Sequence, residues 1–292
     1  MKATAFAPGH ISGFFEPVYH PEDIDRTGSR GAGINIMLGA TSEVTVGNSS
    51  KQALDIYING KKTNAPVTNF ALKLLLGKNP VHVVVNTKMD LPIGQGFGMS
   101  AAGALSATYA VSKIIGFSNF FEAIKASHYA EVGMKAGLGD VMASSFGGIE
   151  IRKSPGLPPW GIIEHIPGKP EIVLCVIGKK VDTKKVLSDS LLNKKIVDYG
   201  KYCTKKILEN PSLENLLYLS QVFTNKTGLA SKRVKDAIFA ANRFGTASMC
   251  MLGNSVFSIG RTNDLCKILS SYGNVFVCRV DEYGARALDS KK

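Results

Sequence analysis

The stretch Leu91-Pro-Ile-Gly-Gln-Gly-Phe-Gly-Met-Ser-Ala-Ala-Gly-Ala-Leu-Ser106 constrains this chain more than any other, because a glycine-spaced loop runs there straight into a helix of small residues. Gly94, Gly96 and Gly98 allow positive φ and let a backbone approach a ligand closely. Ser100 stands where an N-cap is expected, ahead of an alanine-rich helix. The first turn of such a helix carries unpaired amides and the positive end of the macrodipole, so a polyphosphate suits it. A P-loop would need Lys after the glycines and none follows. A dinucleotide fingerprint would need a strand directly before them. Alone, the stretch also admits a plainer reading, a Gly-rich turn with close helix packing, and its context decides.

At 292 residues and 45% hydrophobic, the chain can bury a core of two modest domains without covalent staples. No apolar run is long enough to span a bilayer, and Met1-Lys-Ala-Thr-Ala-Phe-Ala-Pro8 lacks the apolar segment of a secretory signal, so a cytoplasmic protein is expected. The five cysteines show no C-x-x-C pair, which argues against a zinc site or a disulfide framework. The net charge of +12 attracts polyanions, yet the lysines are scattered in short pairs such as Lys179-Lys180 and Lys205-Lys206 with aliphatic neighbours. Anionic small molecules are therefore the expected partners, with neither nucleic acid nor membrane; a homodimer is compatible with the sequence.

Residues 2–7 read as a short strand, followed by a long polar loop from His10 to Gly33. Ile34–Val46, Ala53–Ile58 and Val81–Val85 read as β, with Asn59-Gly60 as a turn. Helices are expected near 67–76, 100–115 and 119–133. A second glycine turn, Lys135-Ala-Gly-Leu-Gly-Asp140, precedes Val141–Phe146 and the strand Ile149–Arg152. Ser154-Pro-Gly-Leu-Pro-Pro-Trp-Gly161 is dense in turn residues and divides the chain into expected domains of residues 1–155 and 156–292. Beyond it come strands near 161–166 and 172–177, helices near 194–209, 212–225 and 231–242, and strands around 246–259 and 275–280 flanking a further helix. The fold class is α+β in two halves, with an antiparallel or mixed sheet and not a doubly wound parallel one.

Phosphoryl transfer needs a phosphate cradle, a divalent cation held by oxygen donors, and often a carboxylate near the accepting hydroxyl. Ser100, Glu131 and Asp140 supply such groups within a short span. Each has a plain structural alternative: Ser100 and Asp140 as N-caps, Glu131 as a surface charge.

Three blocks resemble the GHMP kinases, the superfamily of galactokinase, homoserine kinase, mevalonate kinase and phosphomevalonate kinase. Ala7-Pro-Gly-His-Ile-Ser-Gly13 resembles the N-terminal substrate-side motif, Leu91 to Ala102 the phosphate loop, and Met251-Leu-Gly-Asn-Ser-Val-Phe257 the C-terminal glycine motif that supports that loop. The resemblance implies a two-domain fold: an N-terminal domain like ribosomal protein S5 and a ferredoxin-like C-terminal domain, with ATP in the cleft. It also implies that Pro92, Gly94, Gly96, Gly98, Met99, Ser100, Ala101 and Ala102 bind ATP. Ser100 and Glu131 become Mg²⁺ ligands and Asp140 the base. His10 stands where the family often has Lys, Gly98-Met-Ser100 where it has Gly-Ser-Ser, and the third block keeps only Gly253.

These departures, with Phe14-Phe-Glu-Pro17, Thr27–Gly33 and Ser248–Asn254, resemble one subgroup, whose acceptor is pantoate in coenzyme A biosynthesis. Pantoate offers a carboxylate, two hydroxyls and a gem-dimethyl group. The first loop offers His10, Ser12, Arg26 and Arg30 beside Phe14 and Phe15, with Arg30, set between glycines, as the expected bidentate clamp. Competing readings are a homoserine, shikimate or mevalonate type of kinase, and a non-catalytic ATP-binding sensor. A serine hydrolase built on Gly98-Met-Ser-Ala-Ala102 would need a strand where Pro92–Gly98 stands.

Overall fold

The computed structural model describes residues 1–117, 119–180 and 190–289. Two sheets organise it. The larger has eight strands: β1 (Lys2–Val18), β2 (Gly28–Asn48), β3 (Ala53–Ile58), β4 (Lys61–Lys62), β5 (Val81–Met89), β6 (Ile149–Ser154), β7 (Ile162–Ile166) and β12 (Arg286–Leu288). Its main path runs β12-β1-β2-β5-β3-β4, and β6 joins the far end of β2 and carries β7. Among the described residues only β3 and β5 pair in parallel, so the sheet is mixed. The smaller sheet, β8 (Glu171–Val176), β9 (Gly245–Met249), β10 (Ser255–Gly260) and β11 (Asn274–Arg279), is antiparallel in the order β11-β8-β10-β9. The α+β class in two sheets thus holds.

Strand periodicity is plain in β5, where Val83, Val85, Thr87 and Met89 turn inward while Asn86 and Lys88 are exposed. Helix α2 (Met99–Ile115) is buried along most of its length, because alanine, glycine and serine let it lie close on β1 and β2. Ser106 and Thr87 share Ser42 Oγ at 2.7 and 2.8 Å, which satisfies three hydroxyls in that packed layer. Helices α1 (Pro66–Leu76) and α3 (Phe121–Gly133) flank α2, and the short α4 (Asp140–Phe146) closes its N-terminal side. Helices α5 (Ser190–Glu209) and α6 (Leu213–Thr227) pack on β1, and α7 (Lys232–Ala241) and α8 (Thr262–Leu269) cover the smaller sheet. Four of the five thiols are buried and Cys266 is half-buried. No helix among the described residues is long and apolar enough to cross a membrane.

The expected loop from His10 to Gly33 is instead mostly strand: β1 and β2 pair from Lys2↔Thr45 to Val18↔Gly28 and leave a turn of residues 19–27. Both faces of these segments are covered, so the usual apolar/polar alternation is absent. Register shifts at Pro8/Gly9 and Ser12/Phe14 bend β1 just where it carries His10 and Ser12. The sheets also do not divide at residue 155. β7 follows the Pro-rich turn yet pairs with β6, and β12 returns from the end of the described chain to pair with β1.

Candidate active site

The loop before α2 has the backbone its sequence demands, with φ of 77° at Gly94, 78° at Gly96 and 61° at Gly98. At Gly96 a Cβ would also lie 2.7 and 2.8 Å from the carbonyl oxygens of Cys250 and Met251, so the third sequence block presses directly on the loop. Gln95 fastens the same contact. Its Nε2 donates to Gly178 O at 2.8 Å, its Oε1 accepts from Asn254 N at 3.2 Å, and Ser255 Oγ donates to its carbonyl. Helix α2 starts at Met99 after a left-handed Gly98, so Ser100 lies in the first turn and is not the N-cap. The left-handed glycine ends the loop and leaves the Ser100 hydroxyl free of that capping role. Ala102 N makes a helical bond to Gly98 O, which leaves the amides of Met99, Ser100 and Ala101 at the mouth of the helix.

That mouth opens on a cavity of about 130 Å³ whose polar lining includes Ser12, Ser29, Ser100, Glu131 and Asp140. Glu131 is 2% exposed near the end of α3 and accepts from Asp140 N at 3.2 Å and Val141 N at 3.4 Å. Burial, and then repulsion from Asp140, push its carboxyl well above the usual carboxylate range. Asp140 opens α4 as its first residue, with Gly139 as the cap, so it too is no N-cap. The glycine turn before it is dictated by crowding: a Cβ on Gly137 would meet Glu131 Oε1 at 2.6 Å, and one on Gly139 would meet Ser29 Oγ at 2.2 Å.

A line of alternating charges runs behind this wall. Asp140 Oδ1 is 2.7 Å from His10 Nδ1, and His10 Nε2 is 2.9 Å from Glu150 Oε1. Glu150 Oε1 in turn accepts from Arg152 Nη1, and Arg152 Nη2 donates to Ser12 Oγ at 3.3 Å. His10, Glu150 and Arg152 are all buried. Burial alone would lower the proton affinity of His10, but the hydrogen bonds and charges of Asp140 and Glu150 outweigh it and raise the pKa above the usual histidine value. For Glu150, burial would raise the pKa, and Arg152 and His10 more than offset it, holding the carboxyl below its ordinary value. Arg152 Nε has no partner in this arrangement. It lies 2.9 Å from where a Gly139 Cβ would stand, close to Ser29.

Residues 66–148 match the family model of the GHMP kinases N terminal domain. The chain is 34% identical over 279 residues to the pantoate kinase of Methanocaldococcus jannaschii, covering 94% of this chain and 99% of that protein. It is 32% identical to the pantoate kinase of Thermococcus kodakarensis, over 90% of this chain and 89% of the other. A solved phosphotransferase related to the CoA biosynthesis pathway superposes with a TM-score of 0.89 at 28% identity, covering 98% of each chain. The chain belongs to the pantoate kinases of the GHMP kinase family.

For a GHMP kinase the site brings together most of the residues expected from sequence. Gly94, Gly96, Gly98, Met99, Ser100 and Ala101 line the cavity with Glu131, Asp140 and Ser12. Pro92 is exposed before the loop and Ala102 is buried in α2, both outside the lining. The arginines of the first segment stand elsewhere. Arg30 Nε donates to Lys153 O at 3.0 Å and its Nη1 pairs with Glu16 at 3.2 Å, while Arg26 stacks on Trp160 at 4.5 Å. Strand pairing explains this: Arg30 is opposite Glu16 in the β1–β2 register. His10 is close to the site but faces two protein carboxylates and does not line the cavity.

Sequence reasoning missed Glu150, Arg152 and Gln95. A signal existed for the first two: Ile149-Glu-Ile-Arg152 sets opposite charges two apart in an apolar strand, which places them on one face. Gln95 carries no such mark.

Proposed function

We propose that the chain transfers the γ-phosphoryl group of ATP to the primary hydroxyl of pantoate, giving 4-phosphopantoate for coenzyme A synthesis. The observation that carries this reading is the facing of two unlike ends across one small cavity: a glycine loop and helix mouth on one side, Asp140 and Glu131 on the other. Amides at the mouth of α2 take the phosphates of ATP, and the contact of Gly96 with residues 250 and 251 keeps the loop in place.

The acidic side fits a hard cation. Glu131 is buried, repelled by Asp140 and without an ion-pair partner among the described residues. A hard cation such as Mg²⁺ prefers oxygen donors, which Ser100 and Glu131 offer at this cavity. Ser100 and Glu131 are the ligands in this reading. Bound there, Mg²⁺ neutralises charge on the phosphates during transfer. Asp140 accepts the proton of the pantoate hydroxyl or orients it.

The carboxylate of pantoate lies toward Ser12 and Ser29, with Arg152 behind them. The unpartnered Nε–H of Arg152 supports this placement, since a buried donor without an acceptor is costly and a bound anion supplies one. The test is purified protein with ATP and Mg²⁺ against pantoate, pantothenate, homoserine, shikimate and mevalonate, with ADP release as the readout. Pantoate gives the highest kcat/KM. Faster turnover of any other acceptor under matched conditions refutes the substrate, and no turnover with any of them refutes the kinase reading.

A further inference from the structure

His10 is fully buried, and each of its ring nitrogens lies within hydrogen-bond distance of a different carboxylate. A neutral imidazole has one N–H and one lone pair, so against two ionised carboxylates it would set a lone pair against negative charge. An imidazolium donates to both. The ring is fixed from several sides. A Cβ on Gly33 of β2 would come within 2.4 Å of Nε2, so this glycine leaves the ring its space. The His10 amide donates to Phe97 O of the phosphate loop at 2.9 Å.

We propose that Glu150 is a positioning residue, which acts through a doubly protonated His10 to hold Asp140 Oδ1 and leave Asp140 Oδ2 for the accepting hydroxyl. The proposal rests on the kinase reading above and adds to it a residue that touches neither ATP nor acceptor. The chain Asp140, His10, Glu150, Arg152 alternates in sign, and its two ends reach the cavity, through Asp140 itself and through Ser12, which Arg152 contacts. Asp140 is its partly open member, with a side chain 31% exposed. Oδ2 faces the glycine turn, 3.4 Å from where a Gly137 Cβ would stand, and Gly137 lines the cavity. The groups facing the His10 ring are Asp140 on α4 and Glu150 and Arg152 on β6. Arg152 Nη1 is 3.3 Å from Nε2, and the Glu150 oxygen shared by both cations keeps them compatible. A buried ion pair built only for stability would not need one end open to the acceptor.

The experiment has two arms. In long-range ¹H–¹⁵N spectra of the wild-type protein at pH 8, with His10 assigned by comparison with His10→Gln, the ring shows both nitrogens protonated; a neutral single tautomer overturns the proposal. In Glu150→Gln the imidazolium signature is lost, and kcat for pantoate falls by roughly 10- to 100-fold, while the KM for ATP stays within about twofold. An unchanged kcat, or a KM for ATP that rises as much as kcat falls, overturns the positioning role. Were the wild type to phosphorylate no pantoate, the functional reading would fail, yet the spectrum of the wild-type ring would still decide whether His10 is the charged link.

Discussion

Three glycine-to-alanine variants separate what the phosphate loop owes to backbone conformation from what it owes to contact with the other half of the chain. Gly47 has neither a positive φ nor any atom within 4 Å of an added Cβ; Gly116 has φ 77° and equally open space. Gly96 has φ 78° and also two carbonyl oxygens 2.7 and 2.8 Å from that Cβ. Gly47→Ala therefore leaves stability level or raises it by roughly 0.4–1 kcal/mol, through a less disordered unfolded chain. Gly116→Ala meets the left-handed penalty of about 1–2 kcal/mol, partly offset by the same unfolded-state gain. Gly96→Ala meets both penalties, and the crowding adds about 1–3 kcal/mol more. Because the obstructing atoms are backbone, they cannot rotate aside, and the loop itself must shift. Chemical denaturation of the three variants gives the stabilities, and steady-state kinetics gives the KM for ATP, which rises in Gly96→Ala alone. If Gly96→Ala costs no more than Gly116→Ala, or leaves the KM for ATP unchanged, then residues 250 and 251 do not hold the loop and the argument fails.

Glu131→Gln removes a buried charge that wild type holds at a cost, since a carboxyl pKa raised in the folded state means stability falls as pH rises above about 4.5, the unfolded value. The variant matches or exceeds the wild-type melting temperature at pH 7 and loses turnover by about 100-fold or more; a large stability loss with retained turnover would make Glu131 structural. Arg152→Lys raises the KM for pantoate at least about tenfold, because the Nε–H donor is lost, while Arg30→Lys leaves it within about twofold. The opposite ranking in acceptor kinetics would return the clamp to Arg30. His10 gains proton affinity on folding, so its contribution is full below pH 6.5 and is lost as pH rises through its higher folded value. His10→Gln should flatten the stability profile over that window in denaturation series, and an unchanged slope would contradict it.

The glycine loop, the order of helices around it and the three acidic or hydroxyl groups beside it were legible because each rests on local chemistry: glycines for positive φ, polar side chains set close to a glycine turn, apolar spacing for helices. Ser100, Glu131 and Asp140 do meet at one cavity. Where the arginines stand was not legible, since it depended on whether their segment is loop or strand. Once residues 28–48 form a strand, Arg30 is fixed opposite Glu16 by register, and the buried cation comes from β6, far along the sequence. Gln95 was hidden for a related reason, its partners Gly178 and Asn254 being distant in the chain.

Glycine itself explains much of this division. At Gly96 and Gly98 it supplies positive φ, which a sequence reader rightly takes as a turn. At Gly33 and Gly139 no positive φ occurs, and the residue is there because a Cβ would meet His10 Nε2 at 2.4 Å or Ser29 Oγ at 2.2 Å. The same letter thus marks a loop in one place and tight contact around the wall of the cavity in another, and local sequence cannot separate them. Substitution can. Gly33→Ala needs no left-handed backbone, but its Cβ would crowd the His10 ring, the Ile11 carbonyl oxygen at 2.5 Å and Glu150 Oε1 at 3.0 Å, so its penalty should appear in stability, in turnover and in the His10 resonance before it appears in ATP binding. A variant that lost ATP affinity first, with the ring signal intact, would show that Gly33 serves the loop and not the charged chain.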